Sequence, residues 1–202
     1  ESEESTVKII SSGVLTPLKV YWDETGEMCV LVYNKHFSVY QISLKGSLDF
    51  IRMFEYSIIE GYFWERIFFF FTGTSIFTLI VLPSEPVIVE LAAKNPVDSG
   101  FRVEFDIFQP GYIDSLEGTI VQLPAGQLKL LSVVNMCLYL LDSHNQLCVL
   151  PVTNLFLRFC MEVASQCFEA SDDIYQCVDP SIRSYFDEVL KLYEIHPSQL
   201  TI

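Results

Sequence analysis

A hairpin pattern recurs three times along this 202-residue chain and limits what it can fold into. The first copy opens at the polar turn Trp22-Asp23-Glu24-Thr25-Gly26-Glu27, continues through Met28-Cys29-Val30-Leu31-Val32-Tyr33, turns tightly at Asn34-Lys35 and returns through His36-Phe37-Ser38-Val39-Tyr40-Gln41-Ile42. In the second, Trp64-Glu65-Arg66 leads into Ile67-Phe68-Phe69-Phe70-Phe71-Thr72, a Gly73-Thr74 turn and Ser75-Ile76-Phe77-Thr78-Leu79-Ile80-Val81. In the third, Val133-Val134-Asn135 precedes Met136-Cys137-Leu138-Tyr139-Leu140-Leu141, the turn Asp142-Ser143-His144-Asn145 and Gln146-Leu147-Cys148-Val149-Leu150. Short apolar runs separated by polar turns are strands. Their repetition points to the blades of a β-propeller, an architecture used for binding more often than for chemistry.

From residue 7 to about residue 152 nearly every apolar run is short, rich in Val, Ile, Phe and Tyr, and bounded by Gly, Pro, Asn or Asp. Strands are expected near 7–10, 15–21, 28–33, 36–43, 50–57, 66–72, 75–81, 86–92, 101–107, 118–123, 127–134, 136–141 and 146–151. The first two hairpins lie about 40 residues apart, the length of one four-stranded blade. The third follows later because the segment 93–117 intervenes, with Asn95-Pro96, Asp98-Ser99-Gly100 and Gln109-Pro110-Gly111 reading as loops around one strand, Phe101 to Phe108. After Pro151 the period changes. Leu155, Phe159, Val163 and Cys167 recur at helical spacing behind a candidate N-cap, Asn154, so one helix is expected to about Ala170. A second is expected from Asp179-Pro180 through Phe186, Val189 and Tyr193 to a stop near Pro197. The chain is therefore read as mainly β, a partial β-propeller over 1–152 followed by C-terminal α-helices over 153–202, the start of an α-solenoid.

Half of the residues are hydrophobic, enough for a substantial core, and the formal net charge is −14. Such a charge repels phosphate backbones, which argues against nucleic acid, and favours basic partners such as Lys-rich tails. The run Ile67 to Phe71 is far shorter than the roughly 20 residues a membrane-spanning helix needs. Glu1-Ser2-Glu3-Glu4-Ser5 has no basic region and no initiator methionine, which reads as a piece of a longer polypeptide without a sign of secretion. The six cysteines lack the close pairs of a zinc site and are expected as small core residues in a reduced, cytosolic chain.

No catalytic residue, cofactor or metal ligand is expected. His36, His144 and His196 fall at a strand start, a hairpin turn and a helix end, without nucleophile and carboxylate at motif spacing. Cys148 neighbours His144 but lies in an apolar strand, where a thiolate is poorly solvated. The string Phe68 to Phe71 reads as a blade strand buried on both faces. Asp172-Asp173 and Asp187-Glu188 read as helix-start or solvent-face acids. If a basic peptide binds, Asp23, Glu24 and Glu27 in the first hairpin turn are the candidate contacts.

The stretch from Trp22 to Val30 resembles the start of a blade in the second propeller of the coatomer alpha and beta-prime subunits, and Leu48 to Trp64 is similar to the segment of that propeller leading to a tryptophan and an aromatic strand. Leu138-Tyr139-Leu140-Leu141-Asp142 looks like that family's last-blade strand, and Phe186-Asp187-Glu188-Val189-Leu190 resembles its first solenoid helix. The segments 93–117 and 154–170 match less well, and related vesicle-coat and intraflagellar-transport proteins share the plan. The resemblance implies a non-enzymatic scaffold of a membrane-trafficking coat, cytoplasmic and peripheral on Golgi or vesicle membranes. Its implied partners are other coat subunits or the remaining blades of its own propeller, and basic cargo peptides. The alternative is an acidic β-rich recognition module for a Lys-rich peptide, its helices folded back over an open sheet, or an intraflagellar-transport scaffold.

Overall fold

A computed structural model of the chain describes residues 16–43, 46–95, 103–104 and 121–200. The strand expected near 7–10 and most of the segment 93–117 lie outside these residues. The described residues are mainly β with helices at the C-terminal end, as the sequence pattern predicts.

Three sheets follow one another along the chain. In the first, β1 (Lys19–Trp22), β2 (Met28–Val32), β3 (Phe37–Ile42) and β4 (Leu48–Phe54) pair antiparallel in chain order. The second repeats that meander with β5 (Glu60–Trp64), β6 (Ile67–Phe71), β7 (Ser75–Val81) and β8 (Pro86–Ala93). Two short strands share the far edge of β8, β9 (Val103–Glu104) antiparallel and β10 (Val121–Gln122) parallel. The third sheet has three strands, β11 (Lys129–Val134), β12 (Cys137–Leu141) and β13 (Leu147–Pro151). Among the described residues the three sheets do not make up a closed propeller.

Successive sheets meet at their first strands, with β5 against β1 on one side and β11 on the other. Alternation of side chains along β6 explains why sheet 2 sits in the middle. Phe68 and Phe70 join Val30, Val32, Phe37 and Val39 of sheet 1 in one cluster. Ile67, Phe69 and Phe71 join Leu130, Leu138 and Leu140 of sheet 3 in another. All five residues of β6 are fully buried, so the aromatic run is core on both faces.

The strand β5 is absent from the sequence-based set, in which Gly61 to Trp64 is only a lead-in to the next hairpin. A Cβ at Gly61 would lie 2.6 Å from Phe68 Cζ and 3.1 Å from Tyr21 Cε2, so the glycine permits the close approach of sheets 1 and 2. A glycine inside an aromatic run is the signal of such an approach. Gly61→Ala is expected to cost roughly 1–3 kcal/mol by overpacking, read as a lower denaturant midpoint with unchanged slope.

The helices number three where the pattern predicts two: α1 (Leu155–Ala164), α2 (Phe168–Cys177) and α3 (Arg183–Leu192), followed by the 3-10 turn η1 (Pro197–Gln199). The expected helix to Ala170 breaks at Gln166, whose φ is +59°, while the Ser165 and Cys167 N–H groups close the end of α1 on the Met161 and Glu162 carbonyls. The four-residue spacing hid the break because Cys167 sits in register with the stripe, yet its side chain is exposed at the corner. Asp179 does accept the Ser181 N–H at 2.8 Å, but residues 180–182 form a turn and α3 starts at Arg183. Asn154 caps α1 as expected, its Oδ1 accepting the Leu157 N–H at 2.9 Å in a fully buried position. Asn154→Ala is expected to cost about 1 kcal/mol, with Asn154→Ser costing less, by thermal or denaturant unfolding.

The helices do not extend away from the sheets. Phe156, Leu157, Phe159 and Cys160 of α1 and Phe186, Val189 and Leu190 of α3 belong to the same cluster as the facing sides of sheets 2 and 3. No large hydrophobic side chain on α1, α2 or α3 is left exposed.

Candidate functional site

The β1–β2 turn carries the three acids singled out as partner contacts, and the fold gives each a different environment. Asp23 is 5% exposed, accepts the Met28 N–H on Oδ1 at 3.0 Å and accepts the Thr25 hydroxyl on Oδ2 at 2.7 Å. Its backbone closes the same turn, which Gly26 completes at φ +72°. Asp23 is therefore a turn organiser whose carboxylate is occupied inside the hairpin. Glu24 is exposed in the turn. The Glu65 carboxyl is pushed up by burial and then by the Glu24 charge, with Arg66 pulling it the other way. Glu27 pairs across the sheets, its Oε2 2.6 Å from Arg66 Nη2. Both partners are partly exposed, so the pair adds a few tenths to about 1 kcal/mol, chiefly as a tie between two neighbouring turns.

Glu27 and Arg66 also form part of a cleft of about 440 Å3 that reaches to the β7–β8 turn and the end of α3, where Lys191 and Leu192 line it. At that far end Glu188 accepts from Lys191 Nζ at 2.7 Å and from the Ser84 N–H at 3.0 Å. Lys191 holds the Glu188 carboxyl below its usual range, and Glu188 raises the lysine in return. Helix α3 is thus tied to a turn of sheet 2 by a charge-assisted bond as well as by its buried face. The i,i+3 pair was legible from spacing. The Ser84 contact joins residues too distant in sequence for any spacing rule.

A second polar tie lies within the helices. Tyr175 donates to Asp187 Oδ1 at 2.5 Å, and the Arg183 guanidinium stands 5.1 Å from the Tyr175 ring centre. Burial and then the bond to Asp187 push the Tyr175 hydroxyl up to about 12. A tyrosine whose folded pKa exceeds its unfolded value near 10 adds stability that is fully present below pH 10. That share is lost as pH rises from about 10 toward 12. Tyr175→Phe is expected to flatten this alkaline loss, measured as unfolding midpoint against pH.

The histidines occupy three separate places. His36 stacks on Tyr33 with ring centres 4.7 Å apart, His144 lies in the β12–β13 turn with its N–H on Asp142 Oδ1 at 2.8 Å, and His196 caps η1. Burial raises the Cys29 thiol to about 11 and raises Cys160 further. Cys148 is half-buried within β13. Among the described residues no three His, Cys, Asp or Glu side chains converge as a metal site, and no helix is long and apolar enough to cross a membrane.

The chain is similar to a Dictyostelium discoideum protein described as TSET complex member tstF, with 22% identity over 182 residues. The match takes in 87% of this chain and 16% of that protein, so the chain spans about a sixth of the length of the curated relative it matches. No protein-family model matches the sequence. The relative supports only a loose likeness to a TSET complex member. It does not reach to membership of the coatomer alpha or beta-prime subunits.

Proposed function

We propose that the chain is part of a non-enzymatic scaffold in a membrane-trafficking coat, made of the last WD40-like blades of a propeller and the first helices of a solenoid. The observation that carries the reading is the continuous core through sheet 2, sheet 3, α1 and α3, which holds the helices against the sheets in one packed unit. A rigid sheet–helix junction is what a coat subunit needs to set how neighbouring units meet. Similarity to a TSET complex member supports the trafficking assignment, and the coatomer resemblance of Trp22 to Val30 and Leu48 to Trp64 supports the blade order. The partners are other subunits of such a complex, the setting is the cytoplasmic side of Golgi or vesicle membranes, and the chain has no catalytic role. Purifying the tagged full-length polypeptide from cells tests this: it should come out in fixed stoichiometry with further subunits and partly with membranes. Recovery as a lone soluble protein would sink the reading.

A second reading, recognition of a Lys-rich peptide, is favoured by one observation. Glu24 is exposed in the β1–β2 turn, Glu65 is partly exposed in the β5–β6 turn, and the Glu24 charge helps push the Glu65 carboxyl up, so two acids share this turn end. Peptide titration separates the two readings. Salt-sensitive binding that is lost in Glu24→Gln/Glu65→Gln supports recognition, and its absence leaves the scaffold.

A further inference from the structure

The β7–β8 turn, closed by the Leu82 N–H on the Glu85 carbonyl at 3.2 Å, is where the C-terminal half of α3 meets sheet 2. Glu188 takes the Ser84 N–H at 3.0 Å, and Lys191 and Leu192 line the same cleft as Pro83, Ser84 and Glu85. Burial and then the Glu85 charge raise the Tyr185 hydroxyl, which puts that acid within range of the same helix. Tyr185, Glu188 and Leu192 are three and four residues apart and share one face of α3.

Ser84 stands exposed in that turn, between Pro83 and Pro86. Lys191 first, and then the Ser84 N–H and hydroxyl, hold the Glu188 carboxyl below its usual range, so the serine hydroxyl lies against the carboxylate that ties α3 down. Other exposed serines spend their hydroxyls locally. Ser47 bonds to Ser43 and Asp49, and Ser181 to Asp179, all within four residues. The Ser84 contact spans 104 residues and joins a sheet to a helix, so a change at its oxygen is felt by both.

Local charge decides which way an anion on Ser84 acts. The charged groups that line the cleft or touch Ser84 are the carboxylates of Glu27, Glu85 and Glu188 and the cations of Arg66 and Lys191. Both cations are engaged, Arg66 Nη2 with Glu27 at 2.6 Å and Lys191 Nζ with Glu188 at 2.7 Å. A phosphoryl group on a serine carries about −1.5 to −2 charges near neutral pH. Set beside Glu188 and one residue from Glu85, in a chain of net charge −14, it meets repulsion that the two engaged cations do not offset.

We infer that Ser84 is a phosphorylation site whose modification releases the C-terminal end of α3 from sheet 2. A protein kinase transfers the terminal phosphoryl group of ATP to Ser84 Oγ: the Oγ–P bond forms, the bond from that phosphorus to the bridging oxygen breaks to leave ADP, and the hydroxyl proton passes to the base of the kinase. Glu188 then withdraws from the turn, and α3 keeps only its buried face, Phe186, Val189 and Leu190, on the sheets. The inference stands on the packed junction of sheets and helices and is independent of the trafficking assignment.

Amide hydrogen exchange of the purified full-length polypeptide, with phosphoserine placed at position 84 during translation, tests the release. The end of α3 should exchange on the order of tenfold faster, as expected for losing a hydrogen bond to a charged group, while β6 keeps its protection. Ser84→Asn, neutral and of similar size, should stay close to the native rate. In Glu188→Gln the same phosphoserine should have little further effect, because the repelling carboxylate is gone, whereas simple crowding acts equally in both. Unchanged or slower exchange in the phosphorylated protein overturns the inference, as does acceleration of the same size in Glu188→Gln. Mass spectrometry of the polypeptide isolated from cells under phosphatase inhibition reads the modification itself: a Ser84 phosphopeptide supports the site, and a Ser84 peptide recovered only unmodified overturns it.

Discussion

Replacing Phe70 with alanine is expected to remove about 3–5 kcal/mol of stability, a large fraction of what a single domain has. Phe70 is fully buried where sheets 1 and 2 meet. Its ring stands edge-on to Phe37 at 5.2 Å and to Tyr56 at 5.7 Å, and stacks on Phe77 at 5.4 Å. Truncation removes the transfer energy of the ring and leaves a cavity that these neighbours cannot fill without moving. The aromatic geometry adds roughly 0.5–1.5 kcal/mol per pair beyond burial. Phe70→Leu keeps most of the volume and should lose less. Urea unfolding of the two variants checks the order, and a loss below about 1 kcal/mol for alanine would mean that the sheets are not packed through this ring.

Phe159→Ala should cost a similar 3–5 kcal/mol, with a different distribution over the molecule. Phe159 stacks with Tyr175 of α2 at 6.1 Å and meets Phe186 of α3 at 4.9 Å, and it belongs to the cluster shared with sheets 2 and 3. Its removal loosens the point where all three helices converge. Amide hydrogen exchange should accelerate first in α2 and α3, while β2 and β3, whose core is the separate sheet 1–sheet 2 cluster, keep their protection. Equal acceleration throughout would mean that the two clusters are not energetically separate.

The repeated hairpins made the sheets legible because alternate apolar residues and polar turns are local signals. Ile67 to Phe71 could be read as buried on both faces from composition alone. The strand β5 escaped because Gly61 breaks the pattern, and its reason is tertiary: a Cβ there would meet the Phe68 ring of the neighbouring strand at 2.6 Å and Tyr21 of sheet 1 at 3.1 Å. The break at Gln166 escaped because a single left-handed residue leaves a four-residue stripe in register. The sequence leaves two readings of the helices, a solenoid start or a pair folded back over a sheet, and only the cluster they share with sheets 2 and 3 shows that they pack on the sheets. The stripe Leu155, Phe159, Val163 says that one face is buried, but not against what. In the candidate site, sequence gave three acids one role as a group, whereas burial of Asp23 and the cross-sheet pairing of Glu27 with Arg66 separate them. Spacing along a strand carries no information on a partner in the next sheet.

The account depends on the sheets and helices moving as one body, and a distance distribution between them measures that directly. Ser143 in the β12–β13 turn and Asp173 on α2 are both exposed and suit spin labels in a polypeptide whose exposed Cys167 and Cys177 are replaced by serine. Pulsed electron–electron double resonance should give one narrow distribution, unchanged by salt and broadened by Phe159→Ala. A broad or multimodal distribution in the otherwise native polypeptide would contradict the fixed junction, and with it the scaffold role built on it.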